Sequence, residues 1–273
     1  MTFLRKDDVR DFWNDAVCGE KLLLPSLDLE GFQAQAEARY HLEPYISEFA
    51  RFSEITVGEV VLEIGLGLGA DHERLAKTGA RLHGIDLSTR AVEITRLRLS
   101  LQGLTSDLRV ADAEALPFRN NSFDFVYSWG VIHHTTDTAK AAREILRVLK
   151  PGGHFRVMVY HKWSLVGVML WIRYGLGMGK PWTSLRTIYA TYLESPGTQA
   201  FSRKEAHRLF EGVIDLRLRV ALTHGDLLES GAGQRHRGFC LTLARRLWPR
   251  WLLRRVARPF GLFLMISGTK GSP

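Results

Sequence analysis

The chain has 273 residues, of which 45% are hydrophobic and 24% are charged. These values are ordinary for a folded globular protein and exclude a disordered chain, a collagen-like repeat and a coiled coil. The formal net charge of +8 is unevenly spread: residues 230–273 carry nine cations and no Asp or Glu, so residues 1–229 carry 8 − 9 = −1.

The chain has two cysteines, Cys18 and Cys240, which are too few for a disulfide framework or a zinc site. They fit a reducing compartment, and no metal site is expected. The charged N-terminal residues are not followed by the apolar core of a signal peptide. The longest apolar run, residues 164–172, is too short to span a bilayer. We therefore expect a cytoplasmic protein.

The first fifty residues have helical patterns, over residues 11–16 and 31–52, with Pro44 expected to divide the longer helix. From residue 59, short β-branched apolar segments alternate with helical ones. Strands are predicted over residues 59–64, 81–85, 108–111, 123–128 and 154–160, and helices over residues 71–78, 89–101 and 138–149. This alternation is typical of an α/β fold with a doubly wound, mostly parallel sheet.

Beyond residue 160 the alternation ends. Residues 161–200 are mainly helical and aromatic in pattern, and Ser202 is expected to cap a helix to residue 210. A strand (213–223), a polar loop (224–238), a basic amphipathic segment (241–258) and a last strand (260–266) follow. We predict one domain with three parts: an N-terminal helical cap segment over residues 1–54, a cofactor-binding core over residues 55–160, and a helical cap insertion with the last strands and basic tail over residues 161–273.

A glycine-rich loop follows the first predicted strand and precedes a helix. The segment Glu63 to Gly69 reads E-I-G-L-G-L-G, and with Ala70 it also satisfies the dinucleotide pattern G-x-G-x-x-G/A. It lacks the Lys-Ser/Thr pair of a phosphate-binding NTPase loop. Glu63 would repel a pyrophosphate, but it suits the cationic amino group of S-adenosylmethionine.

Four segments in chain order carry a family resemblance. They are the glycine loop, I-D-L-S at residues 85–88, D-A-E-A-L-P-F at 112–118 with S-F-D at 122–124, and L-K-P-G-G at 149–153. Residues 55–160 resemble the class I S-adenosylmethionine-dependent methyltransferases, particularly the ubiquinone/menaquinone-type branch. The resemblance implies a Rossmann-like seven-stranded sheet with a helical cap, S-adenosyl-L-methionine as cofactor and S-adenosyl-L-homocysteine as product.

The resemblance also implies the cofactor contacts. Asp86, at a strand end, would accept the ribose hydroxyls. Asp112 would meet the adenine amino group, with the backbone of Ala113 at the ring edge. The cofactor-binding residues expected are Glu63, Gly65, Gly67, Gly69, Asp86, Leu87, Asp112, Ala113, Ser128 and Trp129. The last two would lie beneath the sulfonium side of the pocket.

Methyl transfer is an in-line displacement, so a base is needed only if the acceptor loses a proton. His133 and His134 follow the fourth strand, and Tyr160 and His161 end the fifth, at the edge of the sheet where a cofactor would lie. These four are the candidate catalytic residues. Positioning or a structural role is the alternative for each of them.

Candidate substrate-binding residues lie outside the core. Tyr40 and Trp163 would wall the acceptor pocket, and His224, Arg235 and His236 of the polar loop would hold an anionic acceptor. Ordinary packing or a solvated loop is the alternative. We also expect residues 161–200 and 224–238 to converge as a roof over the carboxyl ends of the strands.

The function that these patterns favour is methyl transfer to a small-molecule acceptor, anionic or lipid-linked. The basic segment 241–258 fits a packed helix with a solvated face, contact with an anionic membrane surface, or RNA binding. No nucleic-acid partner is expected, because no RRM, KH or zinc-finger pattern occurs. The alternatives are an RNA or protein methyltransferase, a non-catalytic S-adenosylmethionine-binding protein and, more distantly, an NAD-dependent dehydrogenase.

Overall fold

The computed structural model describes residues 5–229 and 245–271. In these residues seven strands form one sheet in the order β3-β2-β1-β4-β5-β7-β6. The strands are β1 (Val60–Ile64), β2 (Arg81–Asp86), β3 (Asp107–Val110), β4 (Phe123–Trp129), β5 (Leu149–Tyr160), β6 (Ile214–Ala221) and β7 (Phe263–Thr269). Strand β7 pairs antiparallel with β5 and β6, and the pairs among β1 to β5 are parallel. The predicted fold class is confirmed.

Helices flank the sheet on both faces. They are α1 (Lys6–Asp15), α2 (Glu20–Leu23), α3 (Leu29–Leu42), α4 (Tyr45–Ala50), α5 (Ala70–Ala76), α6 (Thr89–Ser100), α7 (Thr138–Val148), α8 (Leu165–Tyr174), α9 (Leu185–Tyr192), α10 (Arg203–Leu209) and α11 (Arg250–Val256). Within residues 5–229 and 245–271, none of the helices combines the length and apolarity that crossing a bilayer requires.

Local sequence signals explain where several helices begin. The Ser88 hydroxyl accepts a hydrogen bond from the Ala91 amide, and Ser202 forms a reciprocal capping box with Glu205. Pro44 separates α3 from α4, because proline is tolerated at a helix start but not in a helix interior. These three predictions are confirmed.

Two strand boundaries differ from the sequence prediction. Strand β5 begins at Leu149 rather than at residue 154, because the turn before it pairs with the sheet: the Gly152 amide donates to the Lys270 carbonyl over 2.9 Å. Strand β7 begins at Phe263 rather than at residue 260. The delay follows from a 3-10 turn over Arg258–Phe260, in which proline fixes the backbone angle.

Both faces of the sheet are buried, which explains the continuous apolar runs of the central strands. On one face Leu62 and Val126 pack with α7 and α10. On the other face Val61 and Tyr127 pack with α4. The central strands are therefore held rigidly between two helical layers, and their carboxyl ends form a fixed platform.

Candidate active site

A cleft opens at the carboxyl ends of the parallel strands. Its empty space is about 1350 Å³ when the solvent at its open mouth is included. One part, the glycine-loop end, is lined by Glu63, Gly65, Gly67, Asp86 and Asp112. The other part, the β5 end, is lined by Cys18, Glu43, His134, Tyr160 and Glu194. The cleft therefore has two ends with different linings.

Helices α1 and α3 cover this cleft. Lys6, Val9 and Trp13 of α1 line it, together with Gln35 and Arg39 of α3. The prediction that residues 161–200 and 224–238 form the roof is wrong for the described residues, of which Glu194 alone lines the cleft. The reason is the packing of α9, where the Tyr189 hydroxyl lies 3.1 Å from the carbonyls of residues 161 and 162 and ties α9 to the edge of β5.

The glycine loop is shaped by what surrounds each glycine. A Cβ at Gly65 would lie 2.0 Å from the Val131 side chain, so only glycine fits there. Gly67 has a φ of +54° and no atom within 4 Å of where its Cβ would be, so its backbone is open to the cleft. Gly69 does not line the cleft and packs against Thr95 of α6.

Glu63 is buried and forms a pair with His72, whose Nδ1 lies 2.8 Å from the carboxyl Oε2. The Ser106 hydroxyl donates to the Leu82 carbonyl, so it accepts from His72 Nε2 over 2.9 Å. Neutral His72 then accepts the carboxyl proton of Glu63 at Nδ1. Burial favours this neutral pair, because it lowers the pKa of His72 to about 3 and raises the pKa of Glu63 well above its ordinary value.

Two further carboxylates face the glycine-loop end. Asp86 accepts hydrogen bonds from the amides of Gly67 (3.3 Å) and Ser88 (2.8 Å), while burial raises its pKa. Asp112 contacts Lys6 of α1, with 2.5 Å between Nζ and Oδ2. The backbone amide of Glu114 donates to the other oxygen of Asp112, which holds its side chain at the cleft. Leu87 and Ala113 also line the cleft.

Of the two cofactor-binding residues predicted at the end of β4, Trp129 lies at the cleft and Ser128 does not. Trp129 lines the cleft, and its indole Nε1 donates to Glu43 over 3.2 Å. Ser128 is fully buried, does not line the cleft and has no hydrogen-bond partner at Oγ. Successive side chains of a strand point to opposite faces, so only one of these two neighbours reaches the ligand.

At the β5 end, Glu194 is the centre of a hydrogen-bond cluster. Its Oε2 accepts from the Tyr160 hydroxyl over 2.5 Å and lies 3.4 Å from His134 Nε2. Its other oxygen lies 3.5 Å from Cys18 Sγ. Burial raises the pKa of this carboxyl, but the hydrogen bonds from His134 and Tyr160 outweigh it, and the pKa lies below its ordinary value.

His134 and Tyr160 therefore line the cleft, whereas the other two candidate catalytic residues do not. His133 is completely buried beneath Tyr160, with ring centroids 4.0 Å apart, and burial lowers its pKa well below its ordinary value. His161 is also buried, and its Nδ1 faces the Gly261 carbonyl at 3.2 Å. Neither ring is in reach of a ligand in the cleft, so the structure does not bring the four candidates together.

The predicted substrate-binding residues that the structure describes, Tyr40, Trp163 and His224, lie away from the cleft. Tyr40 donates to Asp71 over 2.8 Å beneath the Arg74 guanidinium. Trp163 is 53% exposed, and His224 borders a separate depression beside Arg250. Arg235 and His236 lie outside the described residues. Trp163 lies in the turn before α8, so the helical aromatic spacing that suggested a wall does not apply to it.

Asp71 and Arg39 line the cleft but carried no signal in the sequence analysis. The acid Asp71 accepts from Arg39 (2.6 Å) and from Tyr127 (3.0 Å), and these bonds hold its pKa below the ordinary value although burial opposes them. Burial raises the pKa of Glu43 to about 7. Arg39 and Glu43 lie four residues apart on α3 and its cap, a pattern that indicates an ion pair but not a cleft.

Comparisons with known proteins agree with this geometry. Residues 62–157 match a family described as "Methyltransferase domain". The chain is similar to phosphoethanolamine N-methyltransferase 2 of Caenorhabditis elegans, with 38% identity over 117 residues, covering 41% of this chain and 26% of that protein. It is also similar to the ubiquinone biosynthesis O-methyltransferase of Ralstonia nicotianae, with 31% identity over 124 residues, covering 45% and 52%.

The chain thus spans between about a quarter and a half of the length of these curated relatives. Among solved structures, geranyl diphosphate C-methyltransferase from Streptomyces coelicolor has the same fold, with a TM-score of 0.62, 16% identity and coverage of 97% of this chain and 98% of that one. The resemblance of residues 55–160 to the class I methyltransferases is therefore confirmed, and the family match begins inside β1 and ends inside β5.

Proposed function

We propose that this protein is an S-adenosylmethionine-dependent methyltransferase that acts on a small-molecule acceptor, with the cytoplasm as its location. The observation that carries the proposal is the meeting of Glu63, Asp86 and Asp112 in one cleft, around an open glycine loop. These acids come from three successive strand ends, so the cleft offers carboxyl groups along its length and no cradle for a pyrophosphate. This favours a cationic nucleoside ligand over a dinucleotide.

The residues present fit S-adenosylmethionine. The open backbone at Gly67 leaves room for close approach, and Asp86 is positioned to accept two ribose hydroxyls. Asp112 would accept from the adenine amino group. Glu63 would face the ligand's ammonium group, which favours ionised Glu63 and therefore moves its proton to His72. The bound cofactor supplies an activated methyl group.

At the β5 end we assign the base to Glu194 rather than to a histidine. The hydroxyls of Ser195 and Thr198 lie 2.7 Å and 3.2 Å from His134 Nδ1 and hold the ring in place. With a proton on Nε2, His134 donates to Glu194, which this nitrogen faces at 3.4 Å. His134 and Tyr160 thus both donate to Glu194 and position it, and the carboxylate accepts a proton from the acceptor.

This arrangement indicates what kind of acceptor fits. The Glu194 carboxylate accepts hydrogen bonds and can act as a base only on a group that carries a proton. The atom that receives the methyl group therefore belongs to a hydroxyl or an amine. Trp129, Met158 and Phe263 line the same region and suit an apolar body. An anionic acceptor would depend on Arg235 and His236, and a lipid-linked acceptor would place its polar end against Glu194.

The test is calorimetry with S-adenosylhomocysteine. We expect a micromolar Kd, about −8 kcal/mol, and a loss of at least about 100-fold in Asp86→Ala, which leaves two ribose hydroxyls without a charged partner. Glu93→Ala, on the exposed side of α6, is the matched control. Unchanged affinity in Asp86→Ala, or tighter binding of NAD, would refute the proposal.

Transfer of a labelled methyl group should then be assayed with panels of small phenols, alcohols and amines, and separately with RNA and protein. Labelling of RNA or protein alone would favour the alternative use of the basic segment. Binding of S-adenosylhomocysteine with no transfer to any acceptor would favour a non-catalytic binding protein.

A further inference from the structure

Two segments outside the cleft combine cations with a complete lack of acidic residues. Residues 161–193 contain four Lys or Arg and no Asp or Glu. Residues 245–260 contain six arginines and again no acid. No residue of either segment lines the cleft. Their charge therefore has no role in the proposed reaction. Lys162 and Arg254 pair with Glu205 and Glu229 outside the two segments, whereas Arg246 and Arg255 are exposed to solvent.

The same two segments carry large apolar side chains on the surface. Trp182 is 80% exposed and Trp251 is 70% exposed. The other exposed side chains are Trp163, Val168, Ile172, Leu176 and Met178 in the first segment, and Leu247, Leu252, Val256 and Phe260 in the second. Single exposed apolar residues are common, but a group of this size indicates an interaction surface. We call these side chains, with the cations between them, the docking surface.

One buried carboxylate fastens the two segments together. Asp226 accepts from the Val166 amide at the start of α8 (3.2 Å) and from the Leu262 amide (2.8 Å). Its carbonyl accepts from the Trp248 indole over 3.0 Å. The beginning of the first segment, Trp248 of the second and Leu262, two residues beyond the second, therefore meet at Asp226, which ties the two segments together at this point.

The arginines of the second segment differ in orientation. Arg250 faces inward and donates to the carbonyls of Leu227 and Leu228. By contrast, Arg246 and Arg255 are exposed beside Leu247 and Val256. Within α11 the exposed apolar residues are Trp251, Leu252 and Val256, whose spacing places them on one side of the helix. Apolar and cationic groups are thus presented together.

We propose that the docking surface binds the surface of an anionic phospholipid bilayer. Lys and Arg are attracted to anionic headgroups, and Trp and Phe prefer the interfacial layer of a membrane. Aliphatic side chains such as Ile172, Leu176 and Met178 gain free energy by entering the acyl boundary. A nucleic acid would bind the arginines through its phosphates, but it has no apolar layer that could take up Ile172, Leu176 and Met178.

The test is co-sedimentation of the full chain with vesicles. We expect binding to phosphatidylcholine vesicles that contain about 30 mol% phosphatidylglycerol to exceed binding to pure phosphatidylcholine by about tenfold or more. It should fall steeply at about 0.5 M sodium chloride, where the Debye length is a few ångströms. Tryptophan emission should shift to shorter wavelength when anionic vesicles are added.

Paired variants separate the two contributions. Arg246→Gln with Arg255→Gln, and separately Trp182→Ser with Trp251→Ser, should each weaken vesicle binding about tenfold or more. The matched controls are Arg96→Gln with Arg119→Gln and the exposed Val57→Ser, which lie outside the docking surface. S-adenosylhomocysteine affinity should be unchanged in all of them, which shows that each variant is folded. The proposal would be overturned by equal binding to neutral and anionic vesicles, or by no binding to either kind. Equal losses of vesicle binding in the control variants would also overturn it. So would binding of the protein to single-stranded RNA without binding to vesicles.

Discussion

The two ends of the cleft were built in different ways. The glycine-loop end uses residues 63–112, which come from three consecutive strand–turn units, and each side chain sits at a strand end. The β5 end draws on Cys18, Glu43, His134, Tyr160 and Glu194, which are scattered over more than half of the chain. The glycine-loop end is therefore determined by local sequence, whereas the β5 end is determined by the packing of segments that are distant in the chain.

This difference has a functional consequence. A site fixed by strand ends changes little when helices around the sheet are exchanged, which suits a ligand shared by many enzymes. A site assembled from the α3 cap, the turn after β4 and the segment after α9 changes with each of them, which suits the choice of an acceptor. Variants that affect one end and spare the other test this division.

The largest separation is expected for Glu194→Gln. Removing the base should lower kcat by about 10²–10⁴-fold, the usual contribution of a positioned base. S-adenosylhomocysteine affinity should stay within about twofold, because Glu194 lies at the β5 end. Steady-state kinetics and calorimetry on the same preparation provide the check. His134→Phe is the companion variant: it should lower kcat less, since this histidine only positions the carboxylate. An equal loss of cofactor affinity in Glu194→Gln would contradict the division.

A smaller effect, on stability, is expected where Arg98 ties the glycine loop to α3. Arg98 is 1% exposed, and its guanidinium donates to the carbonyls of Leu68 and Phe32 and to Gln35. Arg98→Leu leaves these acceptors buried without a partner, so the free energy of unfolding should fall by about 3–5 kcal/mol. Denaturant titration measures this. Arg96 lies two residues earlier on α6 and is exposed, so Arg96→Leu should lower the free energy of unfolding by less than about 0.5 kcal/mol. A similar loss in both variants would show that the buried contacts of Arg98 do not contribute to stability.

The smallest expected effect depends on pH and tests the neutral pair at the glycine-loop end. Between about 4.5 and 6.5, the ordinary pKa values of the two groups, the unfolded pair holds one proton, as the folded pair does. Above that range the unfolded pair holds none, whereas folded Glu63 keeps its proton. Stability should therefore fall as pH rises past 6.5, by up to about 1.4 kcal/mol per pH unit.

Glu63→Gln removes this dependence, because its amide neither gains nor loses a proton while it still donates to His72. Urea unfolding of both proteins without ligand, at several pH values between 6 and 8, gives the two slopes. Parallel slopes would mean that Glu63 is already ionised in the folded protein.

The sequence predicted the fold and the glycine-loop end because both depend on local rules. Asp86 follows a β-branched strand and precedes a capped helix, so its place at the cleft could be derived from neighbours alone. His134 could not be treated in this way. The placement of its ring depends on Ser195 and Thr198, which reach it only after α8 and α9 have packed.

The errors at the other positions have the same origin. Trp163 was expected to wall the pocket because the aromatic residues after β5 recur at helical spacing, but Trp163 lies in the turn before α8 and is exposed. Glu194 gave no signal, since a single acid after a helix is common on protein surfaces. Only the tertiary packing turned it toward Tyr160.

The contact of Lys6 with Asp112 and Glu114 bears on the timing of ligand exchange. The ammonium of Lys6 lies 2.5 Å and 2.6 Å from these carboxylates, and α1 rests across that end of the cleft. We expect a bound nucleoside to leave more slowly while this ion pair is closed, so that its residence time depends on how often the pair opens. Because such pairs are weakened by salt, the dissociation rate should rise with ionic strength.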